Sequence, residues 1–242
     1  HHEPGAAFMD NSIYVALSRQ LAMFRDMATT ANNIANVNTP GFQSEQTMFT
    51  DYLVKEGSVT DPKLAFTQDI AAWRDLTTGR LQQTGNELDV AIEGPGYITI
   101  ESKGEDLYTR AGNFTIGNDG TLMTARGQPV KSEGGERFVI DQNTRSVRIG
   151  SNGVVSATGN DGQVQQLGTL GLVEFDDPQE MKRVGDQLFS TEQRPRPATE
   201  SRITQGALEM SNVNAVSELV KVTKLSRSTS STAKFIETLY DL

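Results

Sequence analysis

Two stretches, one near each end of the chain, carry apolar or small residues at helical spacing. From Asp10 to Asn36 these fall at Tyr14, Leu17, Leu21, Phe24, Ala28, Ala31 and Ala35. The steps alternate between three and four residues, which lines one face of an α-helix as a heptad seam. The stretch has no glycine or proline and is rich in Ala, with Met, Leu and Gln beside it, residues that a helix accepts readily. It predicts a helix about 40 Å long at ~1.5 Å per residue, with Arg19, Gln20, Arg25 and Asp26 on its polar side. From Val213 to Leu242 a second seam runs through Leu219, Val222, Ser226, Thr229, Ala233, Ile236 and Tyr240. Ser211 or Asn214 supplies a side-chain acceptor for the free amides of its first turn. Its middle, LSRSTSSTAK at 225–234, is small and polar. Serine and threonine are mediocre helix formers, so this helix needs a partner.

Between the two helices the period changes. Short β-rich runs alternate with turns: LDVAI (88–92), YITI (97–100), NFTI (113–116), RFVI (137–140), SVRI (146–149) and GTLGLVEF (168–175). Asn118-Asp119-Gly120 and Asn160-Asp161-Gly162 suit tight hairpins. Seventeen of the 22 glycines lie between Gly79 and Gly171. The pattern predicts an antiparallel, barrel-like or sandwich-like meander. Residues 39–78 and 178–210 read as extended and irregular, with Arg194-Pro195-Arg196-Pro197 as a breaker. The expected fold is therefore mainly β with long terminal α-helices of coiled-coil type. The expected boundaries are 9–38 for the first helix, 39–78 for a linker, 79–210 for the β domain with its flank, and 211–242 for the last helix.

Composition narrows the chemistry. The chain has no cysteine, and its two histidines are His1 and His2. They open HHEPGAAF, which reads as a tag remnant ahead of a native start at Met9. Disulfides, thiolate sites, imidazole bases and histidine metal sites are thereby excluded, and no cofactor is expected. The formal charge is -9, and residues 39–211 hold 25 acidic against 16 basic side chains. An acidic chain with no basic stripe excludes nucleic acid as a partner. No apolar run approaches the ~20 residues of a membrane span. Residues 9–35 lack the basic start and short apolar core of a cleavable signal. They fit either a cytoplasmic protein or one exported with its N-terminus intact.

Glu87, Asp89 and Glu93 raise the possibility of a carboxylate pair that cleaves glycans, but they flank LDVAI and read as solvated strand edges. The two Asn-Asp-Gly turns raise calcium, yet neither keeps alternating ligand spacing with a distant glutamate. Trp73 and Tyr97 read as core or rim of the β domain. The stretch ANNIANVNTPGF (31–42) holds four asparagines and then stops at Thr39-Pro40, where proline ends the helix. Asn32, Asn33 and Asn36 fit a helix end with local amide bonds. They fit equally a contact between adjoining helices, because an amide both donates and accepts.

The same stretch resembles the N-terminal signature of flagellar basal-body rod and hook proteins, a helix ending in N-x-A-N-x-x-T-x-G-F. Asn33, Ala35, Asn36, Thr39, Gly41 and Phe42 match it. Three further segments resemble the family in order: TGRLQQTGNELDVAIEGPGYITI (78–100), YTRAGNFTIGNDGTLMTARGQPV (108–130) and QGALEMSNVNAVSEL (205–219). The resemblance runs from Met9 nearly to the end. MDNSIYVAL and FTQDIAAWRDLTTGRLQQTG are most similar to proximal-rod members, with distal-rod members the near alternative. It implies a structural subunit, not an enzyme, exported unfolded through the flagellar type III channel and polymerised in the periplasm. Its implied partners are further copies, neighbouring rod proteins and the export apparatus. Terminal helices would pack as an inner layer. The implied packing residues are Leu17, Leu21, Phe24, Ala28, Ala31, Asn32, Asn33, Asn36, Thr39, Gly41, Phe42, Ser211, Asn212, Val213, Leu219, Val222, Ala233 and Ile236.

Overall fold

In this computed structural model residues 5–48, 71–185 and 187–240 are described, with side chains at 16–48, 72–185, 187–234, 237 and 238. Tyr14, Ile236 and Tyr240 of the two seams therefore lie outside the described side chains. The chain divides into two compact units. One comprises His1–Ala35, Ser44–Asp75 and Asn214–Leu242; the other comprises Asn36–Gln43 and Leu76–Val213. The molecule is mainly β with one helix near each end, and every described strand pair is antiparallel.

The helical unit holds α1 (Gly5–Ala35) and α2 (Ala215–Tyr240). Helix α1 begins inside the segment read as a tag remnant, where GAAF continues the helical composition. It ends four residues before Thr39, as the Thr39-Pro40 stop requires. Asn214 caps α2: its Oδ1 accepts the Ser217 amide at 3.1 Å. The helices run antiparallel, since Asn33 meets Glu218 while Met23 meets Thr229. A two-stranded ribbon, Glu45–Met48 with Ala71–Arg74, belongs to the same unit. Trp73 sits in this ribbon, half exposed, and not in the β body where the sequence pattern placed it.

The β body is several small sheets rather than one meander. Its largest sheet orders Lys182–Arg183, Leu188–Ser190, Glu105–Thr109, Tyr97–Ser102, Leu172–Glu174 and Arg196–Pro197. A three-stranded sheet joins Val164–Thr169, Val154–Gly159 and Thr144–Ile149. Residues 178–210, expected to be irregular, instead supply five strands. Two of them complete the body across long sequence distances: Arg202–Gln205 pairs with Val90–Glu93, and Ala207–Glu209 with Leu81–Gln83. These runs are too short for a period to show, so only long-range pairing defines them. Residues 137–140 form single bridges through Arg137 and Val139 instead of the expected strand. The prolines around Arg196 sit on a sheet edge, the position where a missing amide costs least.

One core of aliphatic side chains, among them Val90, Ile92, Ile98, Ile100, Leu122 and Val155, is sealed from solvent. A second, aromatic cluster gathers Tyr97, Tyr108, Phe175, Met181 and Phe189. Tyr97 meets Phe189 edge-on at 5.9 Å between ring centroids. Burial in this cluster raises the Tyr108 phenol pKa, and the Asp106 carboxylate adds to the rise. Both Asn-Asp-Gly segments are hairpin turns, with Gly120 at φ +82° and Gly162 at φ +79°. Asp119 accepts from the Thr121 amide and hydroxyl, and these bonds hold its carboxyl pKa down.

Candidate assembly site

Helix α1 turns two different faces. Ala16, Ala22, Met23, Asp26, Thr30 and Asn33 are buried. The heptad seam faces elsewhere: Leu17, Leu21 and Phe24 keep 56, 53 and 50% of their surface, and Ala28, Ala31 and Asn32 are exposed. On α2, Val216, Leu219 and Val220 are exposed, Val222 is half-buried and Ala233 is exposed. The face between the helices is unusually polar. Lys221 Nζ lies 2.7 Å from Asp26 Oδ1, and Thr30 Oγ1 donates back to the Asp26 carbonyl at 2.8 Å. Asn33 is fully buried. Its Nδ2 donates to the Glu45 carbonyl at 2.8 Å and to Glu218 Oε2 at 3.3 Å, while its Oδ1 accepts the Glu45 amide at 3.0 Å. Asn36 is used locally, its Oδ1 accepting from Thr39 Oγ1 at 3.1 Å. These bonds of Asn33 and Asn36 lie within the chain.

The other motif residues converge inside the β body. Gly41 turns with φ +69°, and its amide donates to the Glu209 carbonyl at 2.8 Å. A Cβ on Gly41 would run into the Ala111 amide. The Asn212 amide returns to the Phe42 carbonyl at 3.3 Å, and Asn212 Nδ2 reaches the Thr77 carbonyl at 2.9 Å. Buried Ser211 accepts from the Val213 amide at 3.2 Å. Phe42 is buried beneath the Arg183 guanidinium, 4.4 Å from its ring centroid, a cation–π contact.

At the centre lies a pair that the sequence reading did not single out. Arg110 and Glu209 each expose only 3% of their side chain and sit 2.7 Å apart. Arg110 Nε also donates to Glu209 at 2.9 Å, Nη1 donates to the carbonyls of Gly94 and Gly96, and Nη2 to that of Ile92. Glu209 Oε1 accepts the Gly79 amide at 3.1 Å. A planar guanidinium can satisfy several carbonyls and a carboxylate at once, which is why this charge is buried without an orphan donor. The signal was present in YTR and in QGALE, but nothing in one sequence says that an arginine and a glutamate almost a hundred positions apart will meet.

Glu87, Asp89 and Glu93 have structural partners. Glu87 accepts the Val147 amide, Asp89 the Thr84 hydroxyl and Asn86 amide, and Glu93 the Thr204 hydroxyl. Among the described residues no group of three or more Asp, Glu, His or Cys could hold a metal ion, and no described helix is long and apolar enough to cross a membrane.

Three family models match the chain in order: a flagella basal body rod protein model at residues 13–43, a flagellar hook protein FlgE/F/G D1 domain model at 91–157, and a flagellar basal body rod FlgEFG protein C-terminal model at 204–242. The flagellar basal-body rod protein FlgF of Caulobacter vibrioides is 37% identical over 238 residues, covering 97% of this chain and 95% of that one. The chain belongs to the flagellar basal-body rod protein family. Similarity to a FlgF of Mesorhizobium japonicum is 33% over 228 residues, covering 93% of this chain and 91% of the relative. A rod protein of the FlgG type from Bacillus subtilis is 31% identical over 251 residues, covering 95% of each chain. The chain is thus a FlgF-like rod protein, a structural component of the flagellar basal body. The Arg110–Glu209 pair falls inside the stretches by which the family is recognised.

Proposed function

We propose that this rod protein is a proximal-rod subunit that polymerises through its terminal helices into the axial shaft carrying torque to the hook. The observation that carries the reading is the exposed seam of Leu17, Leu21 and Phe24 on a helix whose opposite face is already occupied. A run of half-exposed large apolar side chains marks a contact surface. Leu219, with Val216 and Val220 beside it, supplies a second such surface on α2. Contacts between unlike faces that do not close generate a helical filament. In the shaft the helices pack as coiled coils through these seams, with Ala28, Ala31 and Ala233 admitting close approach and Val222 and Ile236 adding apolar contact. Neighbours are further copies and other rod proteins. The subunit leaves the cytoplasm through the flagellar type III apparatus, keeps its N-terminus, and assembles in the periplasm. Absence of cysteine suits a chain that is threaded unfolded and meets an oxidising compartment.

The distal-rod reading is the second, favoured by the FlgG relative that spans 95% of the chain. Electron microscopy of basal bodies after an in-frame deletion tests both. Rings with no completed rod, hook or filament are the expected result, and the point of arrest separates proximal from distal. Complete rods with intact hooks would overturn the structural reading.

A further inference from the structure

The helices of the isolated chain meet through the wrong faces for a hydrophobic collapse. Turning α1 so that Leu17, Leu21 and Phe24 faced α2 would cover apolar surface that the observed pairing leaves half in solvent. The observed pairing instead buries Asp26, Thr30 and Asn33 beside the smaller apolar set of Ala16, Ala22 and Met23. We infer that Asp26–Lys221 and the Asn33–Glu218 contact are register determinants that hold the apolar seam outward, so that it is kept for a second helix from another chain and not consumed within its own. The physical ground is asymmetric. A buried carboxylate is tolerated when paired and strongly disfavoured when its partner is taken away. Asp26 keeps 10% of its side chain exposed, and its partner lies at 2.7 Å. Any rotation that buries the seam removes Lys221 from Asp26 and the Glu45 backbone from Asn33. Thr30 fits the same face because it returns its hydroxyl to its own helix. This is the use of a buried polar contact that is best attested, fixing register at some cost in stability. The register itself concerns pairing within one chain, and only the use of the seam by a second chain rests on the rod reading.

The chain contains no cysteine, so one introduced pair reports the register cleanly. Thr229 Oγ1 lies 3.9 Å from Met23 Sδ, which makes Met23→Cys with Thr229→Cys the reporter. Intramolecular cross-linking by a short bismaleimide would be timed in the otherwise native chain, in Asp26→Lys, in Lys221→Asp and in the swapped pair. Helix content by circular dichroism and monomeric state by light scattering would be followed throughout. The expected result is efficient cross-linking in the native background, at least a tenfold slower rate in either single reversal, and recovery in the swap. Equal rates in all four, no cross-link in the native background, or a swap no better than the single reversals would each overturn the inference. Should a single reversal lose its helices altogether, the swap still decides. A failed inference here leaves the rod reading intact, because deletion and arrest are read in the cell.

Discussion

In the β body, Val90, Ile92, Ile98, Ile100 and Leu122 are fully buried, whereas in the helical unit Leu17, Leu21 and Phe24 stay half in solvent. The two regions treat charge in opposite ways as well. Arg110 and Glu209 hold each other among satisfied backbone carbonyls at the heart of the body. Asp26 and Lys221 occupy a helix–helix face where an apolar seam was available instead. The body buries most of its apolar side chains within the chain, leaving others such as Val139, Val164 and Val184 singly at its surface. The helical unit has withheld its best apolar surface. Hydrophobic burial supplies most of the favourable free energy of folding, so a region that withholds it is incomplete by construction.

The sharpest way to break this contrast is to remove half of the body's buried pair. Glu209→Ala leaves Arg110 charged and unpaired, which costs about 3–5 kcal/mol; denaturant unfolding of the purified chain should show that loss, and a change below about 1 kcal/mol would mean that the pair is dispensable. Next in size is a core truncation. Ile98→Ala should cost about 2–5 kcal/mol by the same assay. Leu21→Ala, its counterpart on the seam, should move the isolated chain by less than about 0.5 kcal/mol while impairing rod assembly in the cell. Equal costs for the two truncations would erase the distinction between the regions. Phe24→Asp extends the same logic: a folded β body by circular dichroism, and no motility on soft agar. A motile strain would remove the seam from the assembly account.

The smallest effect is electrostatic. Arg137 forms a two-bond pair with Glu101 at 2.9 and 2.6 Å, and this contact lowers the Glu101 pKa. A depressed folded pKa contributes stability that is complete above the unfolded glutamate value of about 4.3. That contribution is lost as pH falls through the lower, folded value. Melting temperature measured from pH 6 downward should therefore fall slightly less steeply below about pH 4.3 in Glu101→Gln than in the native chain. A steeper acid limb in the variant would reverse the sign of this argument.

Much of this was legible in the chain. Both helices were readable because α1 and α2 are long, although the face that α1 buries holds Met23, Asp26, Thr30 and Asn33 and not its heptad seam, and both hairpin turns were readable because Asn-Asp-Gly states its backbone angles locally. The strands at 202–205 and 207–209 were not readable. They are three or four residues long, and their partners lie more than a hundred positions away. Trp73 was misplaced for a related reason: a four-residue strand carries no mark of the unit it will join. Asn33 was singled out, but its bonding to the Glu45 backbone was hidden, since an amide gives no hint of which backbone it will satisfy. Arg110 and Glu209 were the largest omission. A buried ion pair has no period, and its two halves stand in separate motifs that each looked self-sufficient.

Phe42 and Asn212 are hydrogen-bonded neighbours, as are Gly41 and Glu209. The segment that first enters the body and the segment that last leaves it stand side by side, like the two leads of a plug. Most of what lies between them is the body itself, interrupted once by Ser44–Asp75, which belongs to the helical unit. Loops of the body within 76–213 can be enlarged or trimmed without altering the spacing of those two leads. A lineage could therefore remodel the body of this protein freely while leaving its helices unchanged.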